Sequence, residues 1–216
     1  MKKNIKAILW DFGGVITASP FEAFSTFEKS KGLKKDFIRN INATNPNSNA
    51  WAKFESNSIS VEEFDALFRE ESSAAGHPIN GSQILELLSG DVRPTMIKAL
   101  KKCKEKYKIA CITNNMKTGF GAGMTRDTEK SLLVDEVMTI FDVVIESSIE
   151  GVRKPNPRIF EIACDRIQVH PSDCVFLDDL GINLKPARTM GMTTIKVISQ
   201  DQALRDLSLV TGISFD

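Results

Sequence analysis

Near its N-terminus this chain has an apolar run that ends on a carboxylate. The run begins at Ile5, continues to Trp10 and stops at Asp11, and Gly13 and Gly14 follow. A short apolar run closed by glycines is typical of a buried parallel strand. In open α/β sheets, ligands bind outside the carboxyl ends of the strands. The sequence therefore places Asp11 where catalysis usually occurs, although an Asp at a strand end can also cap the next turn.

Composition and charge exclude several classes of protein. The chain has 216 residues, of which 42% are hydrophobic, and this is enough for one large domain or a core with a modest insertion. Its net charge is zero, so we expect no nucleic acid and no membrane as partners. The four cysteines form no C-x-x-C pair, which suggests a reducing compartment. Without a signal peptide or a bilayer-spanning run in the sequence, we expect a cytoplasmic protein.

Two kinds of pattern divide the chain. Residues 18–90 carry apolar side chains at helical spacing, with a capping box at Ser60–Glu63, a polar loop at 42–49 and no convincing strand. From residue 91 onward strands and helices alternate, which indicates a doubly wound parallel sheet. We therefore predict an α/β core of residues 1–17 and 91–216, with an all-helical cap of residues 18–90 inserted after the first strand. The predicted strands cover 5–10, 108–113, 141–145, 174–177 and 193–197.

A glycine-rich stretch at residues 119–124 contains Gly-x-Gly but does not directly follow a strand. It lacks the dinucleotide-binding fingerprint, so we interpret it as a loop rather than a phosphate cradle.

Carboxylates follow two of the predicted strands. Asp11 ends the first strand, and Asp178 and Asp179 end the fourth. Parallel strands bring their carboxyl ends to one edge of the sheet, where three carboxylates repel one another unless a cation offsets them. Mg²⁺ suits such a site because it takes few carboxylates, keeps waters and bridges to phosphate oxygens. A carboxylate nucleophile that forms an aspartyl-phosphate is an established covalent strategy.

Groups suited to a phosphoryl oxygen follow other elements. Thr113 and Asn114 end the second predicted strand and offer hydroxyl, amide and backbone donors. Lys154 lies ahead of a helix predicted from Pro157 and adds a compact positive charge. Four such elements in this order predict a site for phosphoryl chemistry.

These motifs resemble those of the haloacid dehalogenase (HAD) superfamily of phosphohydrolases over essentially the whole chain. Asp11 with Val15 resembles the first motif, Thr113 the second, Lys154 the third and Asp178-Asp179 the fourth. Residues 154–157, 176–188 and 210–213 resemble the N-terminal phosphatase domain of soluble epoxide hydrolase and its relatives. No epoxide hydrolase sequence follows within these residues, so we do not expect epoxide hydrolysis.

The resemblance implies a Mg²⁺-dependent phosphatase that acts on a small phosphorylated substrate. By resemblance, Asp11 is the nucleophile and a metal ligand, and the Gly13 carbonyl and Asp179 are further ligands. Asp178 steadies Asp179 or holds metal-bound water, and Asn183 supports the metal shell. Thr113 and Asn114 bind the phosphoryl group, and Lys154 neutralises charge.

One position departs from the family pattern. The phosphatases usually carry a second Asp two residues after the nucleophile as general acid and base, and here that residue is Gly13. Loss of a general acid–base typically costs about 10²–10⁴-fold in rate. The alternative is therefore a catalytically weak or inactive member that binds a phosphorylated ligand. The dehalogenase branch fits less well, because it tends to carry an aromatic residue at this position and needs no magnesium.

Overall fold

The computed structural model describes residues 4–116 and 128–215. The glycine-rich stretch at 119–124 lies outside the described residues, so its interpretation as a loop stays a prediction. No helix in the described part of the chain is long and apolar enough to cross a membrane.

A parallel β-sheet forms the centre of the molecule. Its strand order is β3-β2-β1-β4-β5, and every neighbouring pair is parallel, as the sequence predicts for a doubly wound α/β fold. The strands are β1 (Ala7–Trp10), β2 (Lys108–Thr113), β3 (Val143–Glu146), β4 (Cys174–Asp178) and β5 (Thr193–Lys196). The bounds of β2 match the predicted ones, whereas β1 begins two residues later and β3 is shifted toward Glu146.

Helices cover both faces of this sheet and fill the segment between β1 and β2. In chain order they are α1 (Pro20–Ser30), α2 (Phe37–Ala43), α3 (Ala50–Glu55), α4 (Val61–Ala74), α5 (Gly81–Leu85), α6 (Pro94–Lys104), α7 (Thr128–Met138), α8 (Ser147–Glu150), α9 (Pro157–Ile167), α10 (Gly181–Thr189) and α11 (Gln200–Thr211).

The central strand β1 is buried on both faces. Ile8 and Trp10 pack into a cluster with side chains of α6, α7 and α11, whereas Ala7 and Leu9 pack with side chains of α9 and α10. This alternation follows from the two-residue period of a strand. Full burial of a large apolar side chain typically contributes about 1.5–3 kcal/mol, so β1 is firmly held in the core.

Helices α1–α5, which we call the helical segment, have an apolar core of their own. Phe24, Phe54, Phe64 and Phe68 are buried there, and the rings of Phe54 and Phe64 stack with centroids 4.7 Å apart. The predicted capping box opens α4: Ser60 N donates to Glu63 Oε2 at 2.7 Å, and Glu63 N donates to Ser60 Oγ at 3.2 Å.

The two ends of the helical segment meet beside the core. Thr17 and Val92 form an antiparallel bridge, and Ala18 N donates to Asp91 O at 2.8 Å. On the core side of that bridge, Arg93 N donates to Ile16 O at 2.9 Å. The exact boundaries of the cap at residues 18 and 90 stay a prediction.

Candidate active site

Asp11 leaves the carboxyl end of the central strand. Its backbone N–H donates to Leu177 O at 2.8 Å, which continues the pairing of β1 with β4 by one residue. The chain then turns, and Ile16 N donates to Phe12 O at 2.8 Å. Asp11 Oδ1 accepts the Phe12 N–H at 2.7 Å, so the backbone of the turn fixes the carboxylate. The sheet therefore places a buried carboxylate at the edge formed by the carboxyl ends of its strands, as the sequence predicts.

Lys154 is the buried counter-charge of this carboxylate. Its Nζ lies 2.7 Å from Asp11 Oδ1 and 2.9 Å from Asp178 Oδ2, and it donates to Ile112 O at 2.8 Å. The side chain is only 1% exposed. Burial by itself lowers the pKa of Lys154. The negative charges of Asp11 and Asp178 raise it by a larger amount, so the pKa lies above its usual value. Lys154 therefore stays an ammonium group.

The adjacent carboxylates of Asp178 and Asp179 have different surroundings. Asp178 is fully buried, and its oxygens accept hydrogen bonds from Leu180 N at 2.7 Å, from Asn183 Nδ2 at 3.1 Å and from Lys154 Nζ. Asp179 accepts a hydrogen bond from Ser19 Oγ at 3.2 Å. Burial and the neighbouring Asp178 raise the pKa of Asp179 to about 6. Asp178 is thus held by hydrogen bonds and an ion pair, whereas among the described residues Lys154 only partly opposes the rise in the pKa of Asp179.

Asp11, Asp178 and Asp179 form an acidic cluster. Each offers one carboxylate oxygen, and these oxygens all lie within 4.8 Å of one another. Burial, and then the repulsion of Asp178 and Asp179, raise the pKa of Asp11 against the opposing effect of Lys154. Within the part of the chain that the structure describes, no hydrogen bond is donated to the Gly13 carbonyl. These oxygen donors fit a hard dication such as Mg²⁺, which would relieve the repulsion.

Thr113 ends β2, which pairs with β1, and Asn114 follows it. Thr113 is buried at the end of the strand. The side chain of Asn114 contacts the backbone of Lys154 on both sides: Oδ1 accepts the Lys154 N–H at 2.8 Å, and Nδ2 donates to the Lys154 carbonyl at 3.0 Å. Asn114 therefore orients Lys154, a role that the sequence did not indicate. Contact of Thr113 and Asn114 with a phosphoryl group stays a prediction.

The two glycines after Asp11 have different structural requirements. Gly14 has a φ of +75°, and a Cβ built there would lie 2.2 Å from Asp179 Oδ2. Arg93 Nη1 also donates to the Gly14 carbonyl, at 2.8 Å. At Gly13 a Cβ would meet nothing within 4 Å, and the backbone is not in the left-handed region. Gly14 is thus required by the loop, whereas Gly13 occupies a position with room for a side chain.

Three further residues next to the site were not predicted. Ser19 immediately precedes α1, but its side chain makes no cap hydrogen bond there and donates to Asp179 instead. Arg93 binds the loop after Asp11. Arg153 Nη1 pairs with Glu55 of α3, and Arg153 Nη2 donates to Pro46 O at 2.6 Å. Only the proximity of Arg153 to Lys154 in the sequence could have drawn attention to it.

A parallel sheet with an aspartate after its central strand, a buried lysine beside it and two further carboxylates defines a class of hydrolase. The chain belongs to the haloacid dehalogenase-like hydrolase family, which it matches over residues 5–191. Two mouse proteins are similar along nearly the whole chain. It is 32% identical to acyl-CoA dehydrogenase family member 10, with 97% of this chain and 19% of that protein covered. It is 31% identical to bifunctional epoxide hydrolase 2, with 98% of this chain and 40% of that protein covered. The chain thus spans less than half the length of either relative.

Solved structures share the fold at lower identity. A HAD family enzyme from Bacteroides thetaiotaomicron, in complex with magnesium and inorganic phosphate, aligns with a TM-score of 0.57 and 21% identity, covering 91% of this chain and 96% of that one. L-2-haloacid dehalogenase from Xanthobacter autotrophicus, with chloropropionic acid covalently bound, aligns with a TM-score of 0.61 and 16% identity, covering 97% and 84%.

Proposed function

We propose that this hydrolase is a Mg²⁺-dependent phosphatase that cleaves a small phosphomonoester with Asp11 as the nucleophile. One observation carries the proposal. The buried Asp11 carboxylate lies 2.7 Å from Lys154 Nζ and within 4.8 Å of carboxylate oxygens of Asp178 and Asp179. The raised pKa values of Asp11 and Asp179 beside a buried lysine favour a reaction centre over a structural ion pair. The Bacteroides enzyme of this fold, in complex with magnesium and inorganic phosphate, supports the same chemistry.

The residues of the site fit the proposed metal. Asp11, Asp179 and the Gly13 carbonyl would hold Mg²⁺. Asp178 would steady this set, because its oxygens already accept hydrogen bonds from Leu180, Asn183 and Lys154. When bound, Mg²⁺ neutralises negative charge on phosphoryl oxygens and on the surrounding carboxylates.

The protein residues would act in two steps. A carboxylate oxygen of Asp11 attacks phosphorus, and the bond between phosphorus and the alcohol oxygen breaks as the aspartyl-phosphate forms. The departing alkoxide takes its proton from water, because Gly13 offers none. Water then attacks phosphorus, which releases inorganic phosphate and restores Asp11. Lys154, which stays protonated, favours the ionised form of Asp11 that attacks, and it offsets the negative charge that returns to Asp11 when water cleaves the aspartyl-phosphate. Thr113 and Asn114 would position the phosphoryl group.

The test is a panel of phosphomonoesters assayed with Mg²⁺ and with a chelator. We expect Mg²⁺-dependent release of phosphate that Asp11→Asn abolishes. Asp135→Asn, which changes an exposed aspartate of α7, is the matched control and should keep full activity. Retained phosphatase activity in Asp11→Asn would end the nucleophile assignment.

A second candidate function follows from Gly13. A site that lacks its proton donor could hold a phosphorylated ligand without turning it over. In that case the wild-type protein would bind Mg²⁺ with beryllium fluoride, a phosphoryl mimic, but hydrolyse no ester in the panel. If the wild type hydrolyses any ester of the panel and Asp11→Asn does not, this alternative is excluded.

A further inference from the structure

Arg153 joins the core to the helical segment next to the site. Its guanidinium pairs with Glu55 and also donates to Pro46 O, residues that lie 98 and 107 positions away in the sequence. The Arg153 side chain is 21% exposed and that of Glu55 is 8% exposed. An ion pair this buried differs from a surface pair, because loss of one partner leaves a charge without water or a counter-ion.

Glu55 is fixed on its own side of this contact. Trp51, one turn earlier in α3, hydrogen-bonds its side chain. The Trp51 ring in turn packs edge-on against Phe24 and Phe64, with centroids 6.3 and 6.0 Å apart. Glu55 is therefore connected to the aromatic core of the helical segment, and a displacement of Glu55 would also move α3.

Arg153 is equally constrained on the core side. The next residue, Lys154, is held by Asn114 at its backbone N–H and at its carbonyl. The ammonium group of Lys154 contacts Asp11 and Asp178. Arg153 therefore follows any change in the position of Lys154.

A second contact between the two parts involves Asp179. Ser19, which precedes α1, donates to this carboxylate, and α1 carries Phe24. Contacts thus run from Asp179 through α1, Trp51, Glu55 and Arg153 back to the lysine of the site. Such a closed set of contacts can couple two regions because each member restrains the next.

We propose that Arg153 is a positioning residue that couples the placement of α3 to occupancy of the site at Asp11 and Lys154. The ligand in this proposal rests on the proposed function, whereas the contact itself does not. Occupancy that fixes Lys154 also fixes Arg153, which strengthens its hold on Glu55 and Pro46. Loss of the Arg153 contact therefore weakens both the order of α3 and the response of α3 to a ligand.

Hydrogen exchange of the α3 amides measures this coupling without turnover. In the wild type, Mg²⁺ with beryllium fluoride should slow exchange at Ala50–Glu55 by about five- to 150-fold, the usual range of coupling between sites. In Arg153→Met, which keeps an apolar stem but loses every donor, these amides should exchange faster without ligand and respond less to it. Arg153→Lys should restore part of the response, because it returns the charge without the two-pronged geometry.

Arg166→Met is the matched control. Arg166 pairs with Glu150 at 2.7 and 2.8 Å on the surface of the α/β part of the chain, without contact to α3 through its guanidinium among the described residues, so its loss should leave α3 exchange unchanged. The interior amides of α9 report whether each variant is folded. For any hydrolysed ester, Arg153→Met should change KM and kcat together, as expected when a moving element is released, and Arg166→Met should change neither.

The outcomes separate this proposal from the proposed function. Equal α3 exchange in ligand-free wild type and Arg153→Met overturns the coupling. A change of α3 exchange in Arg166→Met as large as that in Arg153→Met overturns it too. A ligand response that survives intact in Arg153→Met overturns it as well. If the wild type binds no beryllium fluoride and hydrolyses no ester, the proposed function fails, and the ligand-free comparison alone then decides the role of Arg153.

Discussion

The carboxylate of Asp179 fills the space that a side chain on Gly14 would need. A Cβ at position 14 would lie 2.2 Å from Oδ2 and 2.5 Å from Cγ of that carboxylate. The backbone of Gly14 also has a positive φ of +75°, which L-residues rarely adopt. The loop after Asp11 and the carboxylate of Asp179, the proposed metal ligand, are therefore packed as one unit.

Gly14→Ala should displace Asp179 and strain the loop. We expect it to lower the free energy of unfolding by at least about 1–3 kcal/mol, the usual cost of an unfavourable backbone conformation, and to weaken any stabilisation by Mg²⁺. Urea unfolding with and without Mg²⁺ measures both effects. Gly13→Ala is the matched control, because its Cβ has open space, and it should change stability by no more than about 1 kcal/mol. Equal effects of the two substitutions would contradict the packing argument.

Gly13→Asp should supply the proton donor that the site lacks. Wild type should turn over aryl phosphates, whose leaving group needs no proton, better than alkyl phosphates. Because a Cβ at position 13 meets nothing within 4 Å, the new carboxyl can be accommodated, and alkyl phosphate turnover should rise by up to about 10²–10⁴-fold. Steady-state kinetics on both substrate classes measure the change.

Gly13→Asn controls for the shape of the new side chain in that experiment, since it cannot exchange a proton at neutral pH. It should leave the preference for aryl phosphates intact. Wild-type turnover of alkyl phosphates at ordinary enzymatic rates, on the order of 1–10³ per second, would show that another group donates the proton.

Asp179 should make the metal-free protein less stable as the pH rises. Its folded-state pKa is about 6 against an ordinary value of 3.8, so the folded state binds more protons than the unfolded state between those values. Stability from this group is therefore complete below about pH 4 and lost as the pH passes through 6. In a chelator at pH 7.5, Asp179→Asn should be more stable than wild type by at most about 3 kcal/mol, and near pH 4 the difference should vanish.

The same variant tests the metal assignment. Mg²⁺ should raise the melting temperature of the wild type at pH 7.5, because a ligand that binds the folded state stabilises it by mass action. Asp179→Asn should lose most of this increment. An identical Mg²⁺ response in the two proteins would remove Asp179 from the ligand set.

Lys154→Met should destabilise the fold strongly. It leaves Asp11 and Asp178 buried without their cation, and breaking a buried pair by removing one partner typically costs about 3–5 kcal/mol. Urea unfolding measures the loss, and adding Asp178→Asn should recover part of it. Lys6→Met breaks an exposed pair with Asp173 and should cost no more than about 1 kcal/mol. A loss in Lys154→Met as small as that of Lys6→Met would mean that the buried charges find other partners.

Local patterns were sufficient to predict most elements of the sheet and its helices. Strand β2 matches its predicted bounds because an apolar run marks it clearly, and helix α9 begins at the predicted Pro157. Helix α5 ends at Leu85, although the apolar pattern continues through Leu87 and Leu88. Leu87 N donates to Ile84 O and Leu88 N to Leu85 O, so the chain continues in tight turns rather than in an α-helix. Helix α8 has four residues, too few for a period to be detected.

The site was predictable where its residues follow strands, and not where it depends on distant partners. Asp11 and Asp178 were found because parallel strands align their carboxyl ends. Ser19 and Asp179 are separated by 160 positions and Arg153 and Glu55 by 98, and no periodicity encodes either contact. The role of Asn114 in holding the Lys154 backbone likewise depends on how two loops pack, which side-chain chemistry alone does not specify.

The bridge between Thr17 and Val92 has a consequence for how this fold can diversify. The helical segment leaves and re-enters the core at two residues that pair with each other. Its two ends are therefore as close together as the ends of a hairpin turn. The entropy of closing such a loop grows only with the logarithm of its length, so a longer, shorter or rebuilt insertion adds little strain to the sheet. The helical segment can therefore differ in length or sequence while Asp11 and its neighbours keep their geometry.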